Sequence, residues 1–108
     1  MGADAQFNEV IHAPLRLRIC GMLRAVDEID FAVLREALGI ADASLSKHLK
    51  VLADNGFVKT VKRASTARTD SRRLTWVRLT VAGRRAFDAH VEKLRQIAGG
   101  GEVAVDGA

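Results

Sequence analysis

Two short apolar stripes separated by a glycine constrain this chain more than any other feature. Phe31, Leu34 and Leu38 recur at helical spacing over two turns, and Gly39 follows as a natural C-terminal stop. A few residues later Leu45, Leu49 and Leu52 are spaced four and three apart with Ala53 beside them, and Asn55-Gly56 ends the run. Two short helices joined by a tight turn at glycine make a helix-turn-helix unit.

The flanking segments fit around that unit. Phe7, Val10 and Ile11 suggest a short first helix. Pro14, tolerated in a first helical turn, restarts the chain as a helix whose stripe is Leu15, Ile19, Met22, Leu23 and Val26. Asp27, Glu28 and Asp30 interrupt the pattern and read as a turn, with Asp30 standing where an N-cap would. Phe57 to Val61 and Leu74 to Leu79 are short β-type runs, and Lys62 to Arg73 between them is rich in small polar and basic residues. Together they predict a hairpin with a basic tip. Thr80 can cap a last helix carrying the stripe Phe87, Val91, Leu94 and Ala98. The expected organisation is one domain over 1–98 and a Gly-rich, frayed tail over 99–108.

On a wheel of about 100° per residue, Leu49 and Leu52 fall within about 40° of Leu45. Ala43, Lys47, Lys50 and Asp54 cluster opposite, with Ser46 at the edge. One face is committed to a core and the other is small, polar and mostly basic, the division required of a helix lying in a DNA major groove. The charge supports the same partner. The chain has 17 Lys and Arg against 13 Asp and Glu, a net +4. Residues 57–85 hold nine basic side chains and one acidic, net +8, whereas 1–56 and 86–108 are each net −2. So basic a block suggests a polyanion.

The run Leu45-Ser46-Lys47-His48-Leu49-Lys50-Val51-Leu52, then Asn55-Gly56-Phe57-Val58, then Leu79-Thr80-Val81-Ala82-Gly83-Arg84, resembles the winged helix-turn-helix transcriptional regulators. The first two stretches are shared by their ArsR-like and MarR-like groups, and the third is similar to the MarR-like group. Pro14 to Ile19 resembles the opening helix of both. The resemblance implies a mainly α fold of about four to five helices with a small β-hairpin, a two- or three-stranded wing. It implies a homodimer, joined through the N- and C-terminal helices, on a pseudo-palindromic double-stranded DNA operator, most simply as a repressor. The helix at about 42–55 would be the reader, with Ser44, Ser46, Lys47 and Lys50 at the DNA-facing positions. The wing at about 59–78 would bring Lys62, Arg63, Arg68, Arg72 and Arg73 to the backbone or minor groove. This chain departs from the pattern in two places. Position 41 is Ala where Ser or Thr usually caps the reader, leaving Asp42 as a substitute cap or the helix start about 1 kcal/mol weaker. The wing segment 64–71 has no glycine.

Rival chemistry is less economical. A metal-responsive, ArsR-like repressor would place cysteines in the helix Phe31 to Leu38, which has none. Asp88-Ala89-His90 resembles half of a C-terminal-helix metal site without its second half, so it reads as helix surface. No metal and no other cofactor are expected. His48, at the edge of the apolar face, reads as a packed, hydrogen-bonded histidine rather than a DNA contact or pH switch, and His12 as a turn residue. The single cysteine, Cys20, excludes an internal disulfide and reads as a buried thiol rather than a redox sensor. Trp76 fits wing-to-body packing, with base stacking as the alternative. No phosphate loop, His-Glu-x-x-His or activated nucleophile argues for an enzyme. A winged-helix protein–protein adaptor remains the alternative of another class, but it has no need of so basic a wing. With no apolar run of about 18 residues and no basic-then-apolar leader, the expectation is a soluble cytoplasmic protein.

Overall fold

The computed structural model describes residues 5–64 and 73–99. In chain order the elements are α1 (Glu9–His12), α2 (Pro14–Arg24), β1 (Ile29–Asp30), α3 (Phe31–Leu38), α4 (Asp42–Asp54), β2 (Val58–Ala64), β3 (Arg73–Leu79) and α5 (Val81–Gly99). The strands form one antiparallel sheet in the order β1-β3-β2.

Local chemistry accounts for the helix boundaries. The Asn8 side chain caps α1 by accepting the Ile11 N–H at 3.0 Å, and Pro14 occupies the first turn of α2. The Asp30 carboxylate accepts the Ala32 N–H at 2.9 Å and caps α3. Gly39 ends α3 at φ 68°, a left-handed conformation that costs little only without a Cβ. Ala41, at the N-cap of α4, supplies no side-chain bond, and Asp42 does not substitute for it. Its carboxylate instead accepts from Arg35 Nη1 at 2.7 Å, tying the start of α4 to α3. Thr80 Oγ1 accepts the Gly83 N–H at 2.9 Å at the start of α5.

The core lies where the helices meet the inner end of the sheet. Leu45, Leu49 and Leu52 of α4 pack with Leu34 and Leu38 of α3, Ile19 and Leu23 of α2, Ile11 of α1, and Val58, Val77 and Leu79 of the sheet. At about 1.5–3 kcal/mol per fully buried aliphatic side chain, the three α4 leucines suffice to fix that helix's rotation about its axis.

Three expectations need correction. Asp30 is not merely a turn residue and cap, because with Ile29 it pairs with Trp76 and Val77 as the third strand. Two residues are too few to display alternation, and the pairing comes from β3 passing beside them. His90 is not helix surface but is fully buried. It lies seven residues after Gly83 on the line of α5 that meets the body, and both its ring nitrogens have partners. His12 is not a turn residue, because it closes α1 and sets its ring against that of His90. The apolar stripe of α5 is only half-buried at Phe87, Val91 and Leu94 and exposed at Ala98, with Ile97 62% exposed. The tail 100–108 lies outside the described residues.

Candidate nucleic-acid interface

The leucines of α4 turn the opposite face outward. Ser46, Lys47 and Lys50 are exposed, and Ser44 is half-buried at the shoulder. Lys50 Nζ lies 3.1 Å from Asp54 Oδ2, an i,i+4 pair that holds the ammonium along the outer face. Such an exposed pair is worth well under about 1 kcal/mol, so a phosphate can compete for the lysine.

His48 sits on the inner flank, as the wheel predicts. Arg16 Nε donates to the Val10 carbonyl at 2.6 Å, and Arg16 Nη1 lies 3.2 Å from His48 Nδ1. A guanidinium has no acceptor, so this nitrogen of His48 is unprotonated. Burial, and then the charges of Arg16 and Lys47, push the imidazole's pKa below its usual value. Cys20 is also buried, and its thiol is pushed up to about 12, mainly by desolvation and despite Arg16. That makes it a poor nucleophile.

The sheet presents two different faces. Paired residues of an antiparallel ladder share a face, and successive residues alternate. Val58, Thr60 and Lys62 stand opposite Leu79, Val77 and Thr75 on the inner face. Near the body that face is core. Farther out, Thr60, Lys62 and Thr75 form one wall of a groove of about 390 Å³. Ser46, Leu49, Lys50 and Ala53 of α4 form the other wall, with Phe31 alongside. The outer face carries Lys59, Val61 and Arg63 opposite Arg78, Trp76 and Leu74. There Arg63 bridges to Glu28, with its guanidinium 5.0 Å from the centroid of the Trp76 ring.

The sequence-derived candidates therefore divide. Ser46, Lys50 and Lys62 share the groove, with Lys47 and Ser44 on the same helix, while Arg63 lies on the other face of the sheet. Arg73 opens β3 opposite Ala64, and Arg68 and Arg72 lie outside the described residues. Thr60 and Thr75 escaped sequence reasoning as groove residues. Their parity with Lys62 and buried Val77 is the signal that could have found them. Trp76 is half-buried and covered by Arg63, an environment unlike the open platform that base stacking requires.

Among the described residues no group of three or more His, Cys, Asp or Glu side chains is placed to hold a metal ion. No described helix is long and apolar enough to cross a membrane.

Comparison with known proteins bears on this geometry. A family model described as a winged helix DNA-binding domain matches residues 15–98. An uncharacterised protein of Methanocaldococcus jannaschii is 29% identical over 89 residues, covering 82% of this chain and 92% of that protein. Among solved structures, a transcriptional regulator homologue from Pyrococcus horikoshii OT3 superimposes with a TM-score of 0.78 at 25% identity, covering 89% of this chain and 91% of that one. A variant of Lactococcus lactis ZitR in complex with DNA superimposes with a TM-score of 0.55 at 21% identity, covering 95% and 71% of the two chains. The last likeness is one of fold alone.

Proposed function

Because this chain belongs to the winged helix DNA-binding domain family, we propose that it is a transcriptional regulator, a repressor that binds an operator in double-stranded DNA as a homodimer. The reader is α4. Lying in the major groove, it offers Ser44, Ser46, Lys47 and Lys50 to base edges and the nearest phosphates. The wing takes the flanking backbone through Lys62, Arg68, Arg72 and Arg73.

One observation carries the reading. The flank of α4 that carries Ser46 and Lys50 and the inner face of the β2–β3 hairpin, with Thr60, Lys62 and Thr75, converge on one groove, and the leucines beneath fix its orientation. Lysine and hydroxyl groups are the donors that phosphate oxygens require.

The dimer reading rests on the terminal helices. Ile97 is 62% exposed on α5 and Phe7 is 40% exposed beside α1. The apolar stripe of α5 runs past the body that would bury it, and a second copy covers it. Two readers related by such a two-fold would meet half-sites about one helical turn, roughly 34 Å, apart.

The experiment is selection of bound duplexes from a random pool, followed by footprinting and titration of the recovered site at several salt concentrations. Two related half-sites are expected, with affinity falling steeply as salt rises. Lys47→Ala and Lys50→Ala should each weaken the specific complex by about 1–3 kcal/mol if the side chain reads a base. An unenriched pool, or a variant lacking both lysines that binds as well as wild type, would refute the assignment. Repression is checked by a reporter placed behind the recovered site.

A further inference from the structure

We infer that Arg63 is a positioning residue rather than a DNA contact, and that with Glu28 it straps the wing to the body across Trp76. For its consequence in DNA binding, this rests on the reading above.

Three independent features place Arg63 in that role. It has the opposite strand parity to Thr60 and Lys62, so it projects from the sheet face turned away from the groove shared with α4. Its guanidinium forms a charge-assisted bond to the Glu28 carboxylate. On the way it lies over the indole of Trp76, 5.0 Å from the ring centroid, where the π face attracts a cation.

The topology explains the purpose of such a contact. Among the described residues the outer half of β2 has only β3 as a ladder partner, and β3 is backed by the two residues of β1. A two-stranded ribbon twists and bends readily. Arg63 starts on β2, crosses the Trp76 position of β3 and ends on Glu28, just before β1. The Arg63–Glu28 pair thus links β2, across β3, to the turn that leads into β1. The angle of the wing to α4, and so the width of the groove, is held by this strap.

The chain's single tryptophan makes the contact directly observable. Arg63→Gln, Glu28→Gln and the double variant would be compared with wild type by Trp76 emission and by hydrogen exchange of the β2 and β3 amides, without DNA. Both single variants should shift the emission and speed exchange in the outer hairpin, and the double variant should add little to either, as expected of one shared interaction.

On duplex DNA, each variant should bind about two- to fivefold more weakly than wild type, the range expected of one partly exposed ion pair. The salt slope should be unchanged. A phosphate-binding Arg63 predicts the reverse pattern. Glu28→Gln would then tighten binding by releasing the arginine, and Arg63→Gln would reduce the slope by about 0.9. Either result overturns the strap, as does unchanged emission and exchange in both single variants. Absence of duplex binding by wild type would refute the DNA reading, while the emission and exchange measurements still decide the strap.

Discussion

Gly83→Ala and Gly21→Ala make the same chemical change in two helices and are expected to act with opposite sign. A Cβ at Gly83 would lie 2.0 Å from the Phe57 carbonyl oxygen, 2.8 Å from its carbon and 3.0 Å from the Phe57 Cα. All three are backbone atoms in the turn leaving α4, so no rotamer change relieves the clash. The same oxygen accepts the Thr80 N–H at 3.0 Å, and Thr80 Oγ1 donates to the Gly56 carbonyl at 2.6 Å. Relief requires α5 to lift off this turn and strain both bonds. Overpacking costs about 1–3 kcal/mol and each weakened hydrogen bond about 1, while alanine returns at most about 1 in helix propensity. The net loss expected for Gly83→Ala is about 2–4 kcal/mol, or a fall in Tm of roughly 10–25 °C for a domain of this size. A Cβ at Gly21 meets only Phe87 Cζ at 3.7 Å, an ordinary contact. That variant should gain about 0.5–1 kcal/mol. Urea unfolding followed by circular dichroism and Trp76 emission measures both. A Gly83→Ala protein within about 0.5 kcal/mol of wild type, well below the smallest overpacking cost, would show that the approach of α5 to the Phe57 turn is not as close as described.

Acidification should destabilise the protein through His90. The Asn8 N–H donates to His90 Nδ1 at 3.0 Å, so the ring proton sits on Nε2, 3.2 Å from His12 Nδ1. Burial, and then His12, push the His90 pKa below its usual 6.5. The unfolded chain therefore binds the proton first. The stabilisation is complete above about pH 6.5 and declines as pH falls toward the folded-state value. The other charged residues of the helices and strand packed on α5 are Glu9, Arg16, Arg18, Arg24, Arg73 and Arg78, with Arg24 paired to Asp88 at 2.9 Å. His90→Asn keeps an acceptor near the Asn8 amide and removes the titration. Denaturant titrations between pH 7.5 and 5 should show a shallower loss in this variant than in wild type, with His48, shifted in the same direction, supplying part of what remains. An unchanged slope would exclude His90 as a source. Separately, Ala41→Ser gives α4 the side-chain cap it lacks and should raise stability by about 1 kcal/mol, read from the urea midpoint.

Much of the helical framework is legible in the sequence because its causes are local. Pro14, Asp30, Gly39 and Thr80 act on their own first or last turns. The spacing of Leu45, Leu49 and Leu52 states which side of α4 is buried whatever it is buried against. The missed features have causes distributed along the chain. Ile29 and Asp30 form a strand only because β3 runs beside them, and His90 is buried only because Asn8 and His12, some eighty positions earlier, satisfy its ring.

The candidate site shows the same boundary. The sequence by itself determined that α4 has a polar, basic outer face and that a basic hairpin follows, since helical and strand periods are properties of consecutive residues. It could not distinguish Lys62 from Arg63, adjacent residues of like charge. Only the tertiary structure decided that one faces the groove beside α4 and the other crosses Trp76 to Glu28, because which face of a strand meets a neighbouring element depends on how the sheet docks. A periodic pattern specifies a direction relative to its own axis, and packing alone relates that axis to the rest of the molecule.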